Sequence, residues 1–449
     1  MSPRSRAEQA IWFTATPERA VECHDCGLHQ RLPVLDYGDI FCLRCGRRLR
    51  RVVVNSMLES FALAIAGFAL MTIAVLMPFI TLDFNGRLHH ADLVSGIWDF
   101  ARLGFHELAV FVLITTVVAP FATMTLVALI PLLLRLPKPP KIVVPMMIWV
   151  ERLTPWAMIE VYLLALFVAY TKIVDLAKVE FGPAFYALAA MMLVTVMLKA
   201  RVDHGSFWSR FEARGVTHRP PGSDVGSSYS CHGCGLWLRL WSRARQGARD
   251  GLRCPRCSTR VHKRKPQSLS RTWALLITAL VLYVPANTYP VMTVVSLGKS
   301  YPSTILGGVE ELLHAGMWPL ALLIFFASVT VPFLKIFALI LLLITTQRGS
   351  HWRLRDRTRL YRLVETIGRW SMIDIFVVSI LIALVQVGQL ATIYPGFGAT
   401  CFAAVVVVTM LAAHSFDPRL MWDRAGRNAA RATADSRAAG TAREQETPS

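Results

Sequence analysis

The sequence predicts an all-α polytopic membrane protein made of two parallel repeats of four transmembrane helices, each repeat preceded by a small cysteine-based module. Three observations carry that prediction: long runs without charge, basic residues gathered between those runs, and residue types that recur at a fixed offset. Of the 449 residues, 54% are hydrophobic and 17% charged, where a soluble globular chain carries about 25% charged residues. The formal net charge is nevertheless +19, so the basic residues must stand apart from an apolar body. This composition excludes a disordered chain, a coiled coil and a secreted disulfide scaffold.

Residues 1–55 come first and contain no apolar stretch of signal-peptide length, so this segment is expected to stay in the cytosol. An unpaired charge in hydrocarbon costs several kcal/mol, and roughly 20 apolar residues cross the core. Charge-free runs therefore locate the spans. Residues 60–82 and 108–134 qualify outright, 181–198 is long enough, and 153–171 qualifies with Glu160 inside it. A long polar interruption follows. Then come 272–298 and 312–334, the latter extending past Lys335 to Thr346. Residues 375–416 hold no Asp, Glu, Lys or Arg, and GQLATIYPGFG divides that run in two at Gly388, Pro395 and Gly396. The count is eight spans. With the N-terminus inside, 42 of the 48 Lys and Arg residues fall on the inner side, as the positive-inside rule requires. Both termini are then cytoplasmic.

Shifting the sequence by 212 places Cys42 and Cys45 on Cys254 and Cys257, Pro78 on Pro290, Gly104 on Gly316, and Pro120 and Phe121 on Pro332 and Phe333. After a two-residue insertion the shift is 214, pairing PWAMIEVY (155–162) with RWSMIDIF (369–376), Gly182 with Gly396, Thr195 with Thr409 and Trp208 with Trp422. Four spans return the chain to its starting side, so the halves are parallel repeats about an axis along the membrane normal. The units expected are a module over 1–55, a first repeat over 56–200, a second module with a basic linker over 201–270, a second repeat over 271–416, and a disordered basic tail over 417–449.

Eight of the nine cysteines form four CxxC pairs: Cys23, Cys26, Cys42 and Cys45, then Cys231, Cys234, Cys254 and Cys257. Two knuckles supply four thiolates, enough to close a tetrahedral site, and the spacings are those of zinc ribbons. Two structural Zn sites are expected, with Fe in a rubredoxin-like site as the competing metal. Four sulfurs complete each shell, so His24, His29 and His232 are read as turn or surface residues. Cys401, alone in an apolar span, reads as a small buried hydrophobe.

The stretch 199–271 carries sixteen Lys or Arg against four acids, and 347–369 seven against two. Zinc ribbons with basic rims bind nucleic acid, but the charge here follows topology. Anionic inner-leaflet lipid is therefore the expected partner, and nucleic acid is not. Polar residues inside the spans carry the remaining chemistry. Pro285, Asn287, Tyr289 and Pro290 share one span, where a broken helix is expected. Lys335 follows Pro332 by three residues. Glu160 and its repeat mate Asp374 lie about a turn inside their spans, Lys172 and Asp175 share a helix face near an outer end, and Gln386 and Gln389 occupy the related position. Helix-to-helix hydrogen bonding and snorkelling account for such groups equally well near span ends. His89, His90 and Asp92 form a weak outer cluster. No nucleotide-binding glycine loop, HExxH or Ser-His-Asp set is present, so the chain does not read as an enzyme.

With its twin CxxC modules, PANTYPVM (285–292), GGVEELLHAG (307–316), Pro332 to Lys335 and RWSMIDIFVVSILIALVQ (369–386), the chain resembles the paraquat-inducible protein A family of Gram-negative inner-membrane proteins. The resemblance covers nearly the whole chain to about residue 422. MPFITL (77–82) departs from it by lacking the asparagine of the second half. The resemblance implies a partner of periplasmic MCE-domain proteins, which form lipid conduits, and a role in loading phospholipid into that partner or receiving it. It also implies that Lys172, Asp175, Asn287, Lys335 and Asp374 line an intramembrane polar site, where the lysines would neutralise a phosphate headgroup or join a proton relay. A membrane stress protein that senses metal or redox state through its cysteine modules is the competing reading.

Overall fold

The computed structural model describes residues 12–15, 20–33, 37–84, 87–173, 178–218, 222–223, 227–240, 253–296, 299–314, 316–368, 370–385 and 391–428. Strand β1 (Trp12–Ala15) joins the sheet of the second module, and the first module consists of β2 (Ala20–Glu22), β3 (His29–Arg31), β4 (Gly38–Phe41) and β5 (Arg48–Val52). Helix α1 (Ser56–Leu76) leads to a hairpin of β6 (Ile80–Phe84) and β7 (Arg87–Ala91), then to α2 (Ser95–Arg102). A second rod joins α3 (His106–Leu113), a π-helical turn at Ile114–Val118 and α4 (Ala119–Leu134). A third joins α5 (Val143–Leu153), a 3-10 turn at Thr154–Trp156 and α6 (Ile159–Ile173). Strand β8 (Lys178–Phe181), α7 (Pro183–Arg201) and α8 (His204–Ala213) complete the first half.

The second half repeats this order. Strands β9 (Gly222–Ser223), β10 (Ser227–Ser230) and β11 (Trp237–Leu240) belong to its module, followed by α9 (Ser268–Thr288), β12 (Met292–Ser296), β13 (Lys299–Ser303) and α10 (Ile305–His314). Next come α11 (Trp318–Phe325), a π-helical turn at Phe326–Thr330, α12 (Val331–Gln347), α13 (Leu354–Ile367), a 3-10 turn at Trp370–Met372 and α14 (Ile373–Val385). Strand β14 (Ala391–Pro395), α15 (Phe397–Ser415) and a helix over 419–428 end the described chain. The expected disorder from 417 onward is corrected over 417–428, where Asp417, Arg419, Trp422 and Asp423 are held by specific partners. A polar composition does not preclude order when each polar group has a partner.

Seven helices or rods among the described residues are long and apolar enough to cross a membrane. The eighth expected span coincides with α14, of which 13 residues are described before 386–390 leave the described set. Leu76, Val281 and Val284 expose 72%, 66% and 62% of their surfaces, which a soluble protein would hide and a bilayer covers. The chain is a multi-pass α-helical membrane protein.

The offsets of 212 and 214 hold for backbone detail. Pro120 and Pro332 lack the amide that would bond Thr116 and Ser328 four residues earlier, and each is preceded by a π-helical turn containing that residue. Ser56 Oγ donates to Arg201 O and accepts from Asp203 N, and Ser268 Oγ does the same with Ser415 O and Asp417 N. A Cβ on Gly182 or Gly396 would fall inside contact distance of the carbonyl of Pro78 or Pro290, so glycine lets the sheet cross the helix there. Tyr162 and Phe376, equivalent by the 214 shift, meet ring to ring at 5.7 Å where α6 packs against α14. A residue that touches its own equivalent marks the axis relating the halves.

The face opposite the modules holds what the span limits did not foresee. Strands pair antiparallel in the order β7-β6-β8 in the first half and β13-β12-β14 in the second. The expected spans 60–82 and 272–298 therefore overran, since α1 ends at Leu76 and α9 at Thr288. Helix α9 also passes through Pro285 without breaking and stops one turn later at Tyr289.

Candidate metal centres and the buried lysine

Four backbone knuckles present the cysteines. In each, the amide of the first cysteine donates to a carbonyl five residues on and accepts, through its own carbonyl, from the residue after the second cysteine: Gly27, Gly46, Gly235 and Ser258. Those residues take the left-handed conformation, at φ 68°, 67°, 66° and 60°. The sulfurs of Cys23 and Cys45 and of Cys26 and Cys42 lie 3.5 Å apart. Those of Cys231 and Cys257 lie 3.4 Å apart, and those of Cys234 and Cys254 3.7 Å. A tetrahedron with metal–sulfur bonds of ~2.3 Å has edges of about 3.8 Å, whereas a disulfide closes to about 2.05 Å. Both buried sets therefore fit a closed four-thiolate metal site, and no histidine joins either among the described residues. His29 instead stacks on Trp237 at 4.8 Å, and His232 Nε2 lies 3.3 Å from Arg419 Nη2.

Ion pairs bind the modules to the helices and to each other. Asp25, buried, accepts from Arg47 and from Arg362 of α13. Arg362 also donates to the Cys45 sulfur at 3.0 Å and to its carbonyl at 3.1 Å. Hydrogen bonds to charged groups contribute about 1.5–3 kcal/mol each. Glu22 accepts from Arg264 at 2.9 Å and from Arg419 at 3.3 Å, which joins the first module to the second and to the helix over 419–428. Burial pushes the Asp417 carboxyl up, but Arg419 outweighs it and holds the carboxyl below its ordinary value.

Lys335 is only 4% exposed, inside an apolar rod. Its ammonium donates to Thr409 Oγ1 at 3.0 Å, and Thr409 in turn donates to Val406 O. Gly368 gives it room, because a Cβ there would lie 2.9 Å from Lys335 Nζ. Among carboxylates whose side chains are described, none pairs with Lys335. Burying an ammonium in an apolar rod is costly, and a sequence keeps such a group for function rather than stability.

The matching place in the first half is built differently. Thr123, Thr154 and Thr195 replace Lys335, Gly368 and Thr409, and they line a cavity of about 150 Å³. The nearby charge is an ion pair instead, Lys199 to Glu160 at 2.9 Å, with Glu160 Oε2 buried and unpartnered. Of the other expected site residues, Asn287 donates to Tyr283 O in its own helix and leaves Oδ1 buried without a partner. Lys172 and Asp374 belong to α6 and α14, with side chains outside the described set. Asp175, Gln386 and Gln389 lie outside the described residues. The described hydrogen bonds thus bring Lys335 to Thr409 but not to Asn287. Thr409 and Gly368 were not singled out as site residues from sequence, although Thr409 stood in the repeat as the mate of Thr195.

The family profile described as Paraquat-inducible protein A matches residues 57–212 and again 269–426, one match per half. The chain is 33% identical over 411 residues to the Intermembrane transport protein PqiA of Escherichia coli, covering 90% of this chain and 95% of that protein. It is 30% identical over 403 residues to the Lipophilic envelope-spanning tunnel protein A of the same organism, with coverage of 89% and 90%. A Probable intermembrane transport protein of Haemophilus influenzae shares 27% over 414 residues, with coverage of 91% and 97%. No solved structure matches the chain. With a profile matched in both halves and relatives aligned over nearly their full lengths, the chain belongs to the paraquat-inducible protein A family.

Proposed function

We propose that the protein is the inner-membrane component of an intermembrane lipid transport system, passing phospholipid to or from a periplasmic partner with MCE-type domains. The names of its relatives, intermembrane transport proteins and an envelope-spanning tunnel protein, support this reading. In it the modules and termini face the cytosol, the sheets face the periplasm, and each half contributes four spans. The basic residues favour that orientation, with 42 of 48 on the module side. Each cysteine set holds one structural Zn through its four thiolates and fixes the fold of its module, and no enzymatic step is required.

The observation that carries the proposal is the Lys335–Thr409 pair, a cation buried at depth in one half and absent from the other. Lys335 would move or hold a proton at Nζ, or meet a phosphate oxygen, with Thr409 fixing the ammonium. The family resemblance adds Lys172, Asp175, Asn287 and Asp374 to this proposed polar site. Lys335→Met and Thr409→Val should both abolish rescue of envelope-lipid function in cells lacking the protein, while membrane levels stay near wild type. Wild-type rescue by both variants would remove the pair from the mechanism.

One contact favours a sensor. Arg362 touches the Cys45 sulfur from α13, the helix that ends beside Gly368 and hence Lys335. A metal-dependent module could bias the buried lysine through that helix. Purified protein holding zinc that reductant does not alter supports the structural role, whereas iron with a redox-dependent spectrum supports sensing.

A further inference from the structure

A second cavity, of about 300 Å³, opens at the module-side end of the first half, between the start of α1, the end of α4 and α8. Arg135, Arg210 and Arg214 line it. None of these three guanidinium groups has a hydrogen bond or ion pair to a described residue, and only Arg135 has a ring neighbour, Phe61 at 6.0 Å. The nearby acids are taken: Asp203 by Arg50, Glu59 by Arg201 and Glu212 by Arg256. The wall toward the bilayer is apolar, with Leu58 and Leu132 exposing 61% and 50% of their surfaces beside Phe61.

The second half shows what the same place looks like when the chain satisfies itself. There the equivalents of Arg135, Arg210 and Arg214 are Gln347, Arg424 and Asn428. Arg424 donates to the carbonyls of Thr346 and Gln347, and Asn428 to those of Arg348 and Gly349, capping the end of α12. The first half keeps three cations at this corner, leaves those caps unmade and leaves space between them. Guanidinium forks match phosphate oxygens bidentately, and an apolar wall at the level of the headgroups suits an acyl chain.

We infer that this corner is a binding site for the phosphate of an anionic phospholipid in the module-side leaflet, with Arg135, Arg210 and Arg214 on the phosphate and Leu58, Phe61 and Leu132 along the chain. The site is separate from the buried lysine, and it requires the bilayer but not transport. The test uses full-length protein in lipid nanodiscs carrying a photoactivatable phosphatidylglycerol, with the labelled peptides read by mass spectrometry. In the variant R135Q/R210Q/R214Q, labelling of α1, α4 and α8 should fall about tenfold, the scale of losing three charged phosphate contacts. The variant R348Q/R359Q/R427Q, which removes the same charge elsewhere on that face, should label like wild type. A diacylglycerol probe should not label the corner, and excess inorganic phosphate should leave most of the phosphatidylglycerol label in place. Equal labelling of the two triple variants, equal labelling by diacylglycerol, or loss of label to free phosphate would each overturn the lipid site. Should the first triple variant fail to accumulate, Arg214→Gln alone is read the same way, with a two- to threefold fall expected.

Discussion

The two halves share their scaffold and differ in their chemistry. Prolines just after the π-helical turn of the second rod, glycines crossed by a sheet strand, the Ser56 and Ser268 clasps and the Thr195 and Thr409 hydroxyls occur in both. At the position of Thr123, beside its cavity, the second half has Lys335, and in place of the Glu160–Lys199 pair it has Asp374 and Ala413. Duplication has kept what holds backbone together and released what holds charge. A lysine in both halves would bury two cations within the apolar body, a cost that one buried cation avoids.

The strongest test of the shared scaffold is metal removal. In zinc modules a structural metal contributes on the order of 10 kcal/mol or more to folding, so on the proposed metal loading Cys45→Ser and Cys257→Ser should each lower the bound metal by one equivalent of two. Elemental analysis of purified protein reads this directly. The Cys45 variant should also free Arg362 and loosen α13, seen as faster amide exchange over residues 354–367, while the Cys257 variant leaves that helix protected. Identical exchange in both variants would mean that the modules are coupled to the spans alike, and the asymmetry would then be confined to the membrane.

Transposing the cation asks whether the difference between the halves is functional. The double variant Lys335→Thr with Thr123→Lys keeps composition and moves the ammonium to the first cavity, where it meets Thr195 in place of Thr409 but stands nearer Lys199. It should accumulate at reduced level, because a second cation near Lys199 costs a few kcal/mol, and show no lipid transport. Recovery of transport at the measured protein level would make the halves interchangeable.

The spans, the modules and the duplication were legible because each rests on a local or periodic signal: charge-free length, CxxC spacing, a constant offset. The sheets were not read, although Asn85-Gly86 is a hairpin signal between Ile80–Phe84 and Arg87–Ala91. The apolar strand residues simply extended the apolar helix before them, and hydropathy alone cannot tell the two apart. Lys335 was visible as a charge out of place. Its partner was not, since a threonine in a span announces nothing, and 74 residues separate Lys335 from Thr409. The Arg135 corner was hidden for a further reason: its cations look like any positive-inside loop until the second half shows them satisfied.

The smallest expected effect lies in the knuckles, where three of four residues at left-handed φ are glycine and the fourth is Ser258 at 60°. A residue with a Cβ pays roughly 1–2 kcal/mol in that conformation, while glycine loses about 0.5–1 kcal/mol more backbone entropy on folding. Ser258→Gly should therefore stabilise the second module by about 0.5–1 kcal/mol. The reverse changes are cleanest at Gly46 and Gly235, where a Cβ would meet nothing within 4 Å. Gly46→Ser and Gly235→Ser should each lose a similar amount, whereas Gly27 is no fair control, with Arg264 3.1 Å from its Cβ position. The rate at which a chelator strips metal from each module reads these differences. A slower rate in Ser258→Gly and faster rates in the two serine variants would show the four knuckles to be one device used four times; no change in Ser258→Gly would mean that the serine hydroxyl offsets the strain through a contact of its own.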